Sequence, residues 1–98
     1  MYGKGRVIAM KAVVTVIGKD RIGIIADVCT LLAQMNVNIL DISQTVMKEF
    51  FTMTMLVDTA TSEVPFEKIK EALREQGTKM QLSIRIQRDD IFSAMHRI

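Results

Sequence analysis

Hydrophobic and polar positions divide this chain into six periodic stretches and a tail. Residues 12–17 (AVVTVI) form a short β-branched run without polar alternation, the pattern of a central strand covered over much of both faces. Gly18 predicts its end. Beyond it, Ile22, Ile25, Ala26, Cys29, Leu32 and Ala33 recur at spacings of three and four, which stack on one face of a helix opening near Gly23. Ile24, Val28, Leu31 and Met35 make a second apolar stripe, leaving Asp27, Thr30 and Gln34 as a narrow polar one. A surface helix needs one apolar stripe, so the surplus asks for cover from a second element or another subunit. A helix sunk deeply in its own domain would carry the same pattern.

Residues 36–38 mark the turn out of this helix, because asparagine tolerates the left-handed conformations that end helices. The strand that follows places Leu40, Ile42, Gln44 and Val46 on one side and Asp41, Ser43, Thr45 and Met47 on the other. Ile39 is out of phase, which predicts a bulge or a late strand start. After the polar break at Lys48 and Glu49, Phe51, Met53, Met55 and Val57 alternate with Thr52, Thr54 and Leu56, so the two strands form a hairpin. Residues 59–64 read as a loop. Pro65 suits the first turn of a helix with Phe66, Ile69, Ala72 and Leu73 inward, and Gly77 is its expected stop. The last strand turns Met80, Leu82, Ile84 and Ile86 inward and Gln81, Ser83, Arg85 and Gln87 outward. Asp89 and Asp90, followed by Ile91, Phe92, Met95, His96 and Arg97, have the charge order of a short helix.

The order is βαββαβ plus a tail. Two interleaved right-handed crossovers give an α+β, ferredoxin-like fold: a four-stranded antiparallel sheet with two helices on one face and a short C-terminal helix. Residues 1–9 read as a leader or tag, 10–88 as the domain and 89–98 as the helical tail.

Composition narrows the function classes. The chain has 98 residues, 49% hydrophobic and 24% charged, room for one domain with one core. No stretch is both apolar and long enough to span a bilayer. The net charge of +2 is spread along the chain without the basic stripe that a phosphate backbone requires, so neither nucleic acid nor membrane is an expected partner. Cys29 is the only cysteine, which rules out an intrachain disulfide and a multi-thiolate metal site and fits a reducing, cytoplasmic setting.

The chemistry this architecture commonly hosts can be tested residue by residue. A soft-metal carrier needs paired ligands in the first loop, and only Cys29 is present, inside the helix. RNA recognition needs aromatics on the central strands, and residues 12–17 have none. Gly18 and Gly23 have the spacing of a phosphate loop, but Ile24 and Ile25 replace its Lys-Ser/Thr, and no cofactor is expected. No nucleophile stands beside a base, and the lone His96 lies in the tail, so no catalytic site is expected. The stretch 19–23 (KDRIG) remains. Backbone N–H groups at the helix start favour a carboxylate, Asp20 can take an ammonium, Gly23 lets a ligand approach the backbone, and Asn38 offers both donor and acceptor. The same residues would serve as a helix cap and a tight-packing glycine.

The extended run, D-R-x-G opening an apolar helix, then V-N-I and a strand, resembles the ACT domain over residues 10–87. The resemblance implies a small stand-alone regulatory module, not an enzyme, that binds an amino acid between subunits of a homodimer or higher oligomer. It assigns the site to Asp20, Arg21, Ile22, Gly23, Ile24 and Asn38. Ile22 stands where many members have proline, and Gly18 where some amino-acid binders carry a polar side chain. The second expectation is an assembly module with a vacant site, acting on a partner enzyme or regulator through protein contacts.

Overall fold

Six elements follow in the predicted order: β1 (Lys11–Lys19), α1 (Ile24–Gln34), β2 (Asn38–Met47), β3 (Phe50–Asp58), α2 (Phe66–Met80) and β4 (Ser83–Arg88). The computed structural model describes residues 10–19 and 23–89. The leader read at 1–9 and, apart from Asp89, the tail lie outside the described residues.

The strands form one sheet in the order β2-β3-β1-β4, with every neighbouring pair antiparallel. β1 and β2 therefore run parallel with β3 between them, and β3 and β4 run parallel with β1 between them. α1 and α2 are the crossovers of these two split units and pack on the same face, the ferredoxin-like arrangement. Period-two alternation supplies the sheet side of the core with Ala12, Val14, Val16, Phe51, Met53, Met55, Val57, Ile84 and Ile86. The helices bury Ile24, Val28, Leu32, Ile69, Leu73 and Met80 against it. β1 is central, as its composition requires. Its two-sided cover is incomplete, however: on the helix-free face Val13 is 6% exposed and Ile17 is 49% exposed.

Three expectations change. In α1 the buried stripe is Ile24, Val28 and Leu32, drawn from both predicted stripes, while Ile25, Cys29, Leu31 and Met35 are half-buried and Ala26 and Ala33 are exposed. Besides Met10 and Ile17, the large exposed apolar side chains lie instead on β2 and its hairpin: Leu40, Ile42, Val46, Met47 and Phe50. β2 is an edge strand that α1 leaves largely uncovered. The bulge, by contrast, falls where expected, as a register shift between Ile39 and Asp41.

Gly18 does not end β1, which runs on to Lys19. Nor does Gly77 end α2. Helix continues to Met80 and stops at Gln81, whose φ is 60°, with Leu82 N–H bonded to the Gly77 carbonyl at 2.8 Å, so Met80 and Gln81 belong to this helix end and not to the last strand, which begins at Ser83. α1 closes in the same way at Asn36, φ 60°, with Val37 N–H on the Leu32 carbonyl at 3.0 Å. The β3–α2 loop then clips this end: Ser62 Oγ donates to the Met35 carbonyl at 2.6 Å, and Thr61 Oγ1 to that of Asn36 at 2.9 Å.

A groove between the start of α1 and strand β2

Gly23 opens α1 in the left-handed region, φ 91° and ψ 0°, which costs a glycine little and an L side chain more. It offers no side-chain cap, and its carbonyl accepts the first helical bond, from Asp27 N–H at 2.9 Å. The N–H groups of Ile24, Ile25 and Ala26 precede that bond and so have no acceptor within the helix. They carry the positive end of the helix dipole.

This end of α1 stands over the C-terminal half of β2 without covering it. Between them runs an open groove of about 620 Å³, lined by Gly23, Ile24, Ile25, Ala26, Gln44, Val46 and Phe51. Val46 and Phe51 are cross-strand partners. Buried Ile24 and Phe51 make the floor, exposed Gln44 and Val46 the β2 wall. Gln44 is the one polar side chain among these lining residues.

Of the predicted site residues, Gly23 and Ile24 line the groove, whereas Asp20, Arg21 and Ile22 lie outside the described residues. Asn38 does not join them. It begins β2 opposite Asp58 and borders a separate depression of about 430 Å³ with Ala33, Asn36, Val37 and Thr61. Eleven helical residues separate the two ends of α1, roughly 16 Å at the helical rise. Gln44, Val46 and Phe51 were not singled out from the sequence. The available signal was Gln44, a polar residue in the otherwise apolar row of Leu40, Ile42 and Val46.

Cys29 is half-buried on α1, and that burial pushes its thiol pKa up, so the residue is a packing group and not an activated nucleophile. His96, its only conceivable imidazole partner, lies outside the described residues. Among the described residues no three His, Cys, Asp or Glu side chains cluster as metal ligands, and no helix is long and apolar enough to cross a membrane.

A family model for the ACT domain matches residues 11–87. The protein belongs to the ACT domain family. It is 56% identical over 89 residues to a UPF0237 protein of Clostridium acetobutylicum, covering 91% of this chain and 100% of that one, so the relative is of single-domain length. The fold is similar to that of an ACT domain protein from Streptococcus pneumoniae, with a TM-score of 0.76 at 40% identity over 87% of this chain and 96% of that one. It is also similar to a putative glycine cleavage system transcriptional repressor, with a TM-score of 0.71 at 26% identity, over 83% of this chain but 46% of that one.

Proposed function

We propose that this ACT domain is a non-catalytic, cytoplasmic regulatory module that binds an amino acid between two copies of itself. The observation that carries the reading is the position of the groove: it opens along β2, the last strand of the sheet, whose apolar side chains are exposed. An edge strand without protective charge or proline is a template for another strand, and β2 carries one charged residue, Asp41. A second copy running antiparallel along β2 would bring its own Asn38 end toward the hairpin end of the first, and thus toward the groove. Centred on Gln44, the middle of the bulge-free stretch 41–47, such pairing sets Asp41 opposite the second copy's Met47, so that the single acidic residue of the strand meets no like charge. The site that one copy divides between the two ends of α1 would then be completed across the axis.

In this reading the N–H groups of Ile24, Ile25 and Ala26 receive the ligand carboxylate. Asp20 takes the ammonium, Arg21 and Ile22 shape the loop, and the second copy's Asn38 adds a donor and an acceptor. A regulatory role is supported by the likeness to a putative glycine cleavage system transcriptional repressor. Calorimetric and thermal-shift titration with each common amino acid tests the proposal. A ligand at 100 times its dissociation constant should add about 2.7 kcal/mol to stability. A folded sample that answers none of them rejects it.

The exposed β2 row favours one second reading, an assembly module that acts on a partner protein with the groove empty. Pull-down of a specific enzyme or regulator, unaffected by Asp20→Ala and Asn38→Ala, would support that alternative.

A further inference from the structure

The helix-free face of the sheet is divided by charge. Within its strands the basic residues, Lys11, Lys19 and Arg85, lie on β1 and β4, and the acidic ones, Asp41 and Asp58, lie on β2 and β3. Asp89 follows β4 and is not a strand residue. Register sets Arg85 in one row with Thr15, Thr54 and Ser43, and Asp41 in the next with Leu56 and Val13. Arg85 and Asp41 stand on the two outer strands, three strand spacings or roughly 14 Å apart, too far to pair within one copy. At the centre, between β3 and β1, are the apolar cross-strand partners Val13 and Leu56, with exposed Ile17 farther along β1. Both helices lie on the opposite face.

We propose that this face docks a second copy of the chain, sheet on sheet, about a two-fold axis that runs parallel to the strands between β3 and β1. Such an axis exchanges β1 with β3 and β2 with β4, so the basic half of each copy lies on the acidic half of the other. Arg85 of one copy then meets Asp41 of the second across neighbouring rows, twice in the pair, and Lys11 meets Asp58. Val13 lies against Leu56 and Thr15 against Thr54, which closes the centre with apolar and short hydroxyl side chains. A two-fold axis across the strands would instead set base on base and acid on acid, an arrangement that like-charge repulsion disfavours. At about 4.8 Å per strand and roughly 24 Å of shared length, the four strands present about 450 Å². Two copies bury roughly 900 Å², less than a standard stable interface, so the pair is weak and grows with concentration. This face is distinct from the β2 edge, and neither the groove nor its ligand enters the inference.

Sedimentation velocity over a concentration series tests it in the full chain carrying Ile42→Lys, a substitution on the helix side of β2 that blocks association along that edge. This chain should be monomeric when dilute and shift toward dimer as its concentration rises. Adding Asp41→Lys or Arg85→Glu puts like charges at both contacts of the pair and should weaken it at least about tenfold. An equimolar mixture of these two charge-reversed chains should dimerise again, because each supplies the sign that the other lacks. Melting temperatures establish that every variant is folded. A chain that stays monomeric at its highest soluble concentration leaves the face to solvent or to another protein and overturns the inference. So does a mixture no more associated than its separate components.

Discussion

Leu82 fills the space that a side chain on Gly18 would need. A Cβ at position 18 would collide with Leu82 Cδ2 and stand 3.4 Å from Leu82 Cα. The glycine of β1 and the leucine that links α2 to β4 are thus two halves of one packing contact. Both residues are half-buried and the close atom is the end of a side chain, so Gly18→Ala should cost no more than about 1 kcal/mol, the low end of the range for overpacking. Because the intruding atom is the end of a side chain, Leu82→Ala in the same chain should return part of that loss. Urea unfolding of both single variants and the double variant measures the coupling, and strictly additive effects would contradict the contact.

Gly77 meets the same residue from the other side. Its absent Cβ would lie 2.7 Å from the Leu82 carbonyl oxygen and 3.2 Å from Ile84 Cγ1. Alanine within a helix ordinarily gains about 1 kcal/mol over glycine. Here the obstructing atom is backbone, which cannot swing aside, so Gly77→Ala should lower the melting temperature instead of raising it. A stabilised variant would mean that α2 sits farther from Leu82 than described.

The thiol of Cys29 gives a pH-dependent prediction. Burial raises its pKa, so the folded chain holds the thiol proton more tightly than the unfolded chain. The associated stability is complete below the free-thiol range and is lost as pH rises through the raised folded value. Alkylation by iodoacetamide at neutral pH should therefore be slower for folded protein than for urea-unfolded protein. Equal rates would show that Cys29 is neither covered nor shifted.

Ile42→Lys separates the edge from the core. Ile42 is exposed in the single copy, so the substitution should change monomer stability within about 0.5 kcal/mol, the usual range at a surface position. If two copies pair along β2, however, it sets a lysine into each apolar row and should dissociate them. Sedimentation velocity at matched concentrations gives the outcome: wild type as dimer or larger, variant as folded monomer. A variant that sediments like the wild type places any interface elsewhere.

Most of the fold is written locally. Strand faces, the bulge beside Leu40, the left-handed turn at Asn36 and the helix start at Pro65 all follow from periodicity and turn chemistry within a few residues. The two misread glycines share a cause. Gly18 and Gly77 look like terminators because glycine often is one, but both make room for Leu82, a contact that exists only once the helix and strands are packed. The site divides in the same manner. Gly23 and Ile24 carry local signatures and line the groove, whereas Gln44, Val46 and Phe51 belong to it because of where α1 lies over the sheet. Asn38 joins Gly23 on hydrogen-bonding chemistry and on family resemblance, neither of which carries distance, and the helix between them holds the two apart within one copy.

The register of β1 has a practical consequence for orientation. Lys11 pairs with Asp58 and Ala12 with Arg88 at one end of the sheet, while Lys19 pairs with Phe50 at the other, where the groove opens. Eight strand steps separate those ends, roughly 27 Å. The chain therefore enters β1 and leaves β4 at the pole away from the groove. A sensor surface or handle joined directly to Met10 or Asp89 would leave the mouth open to solution.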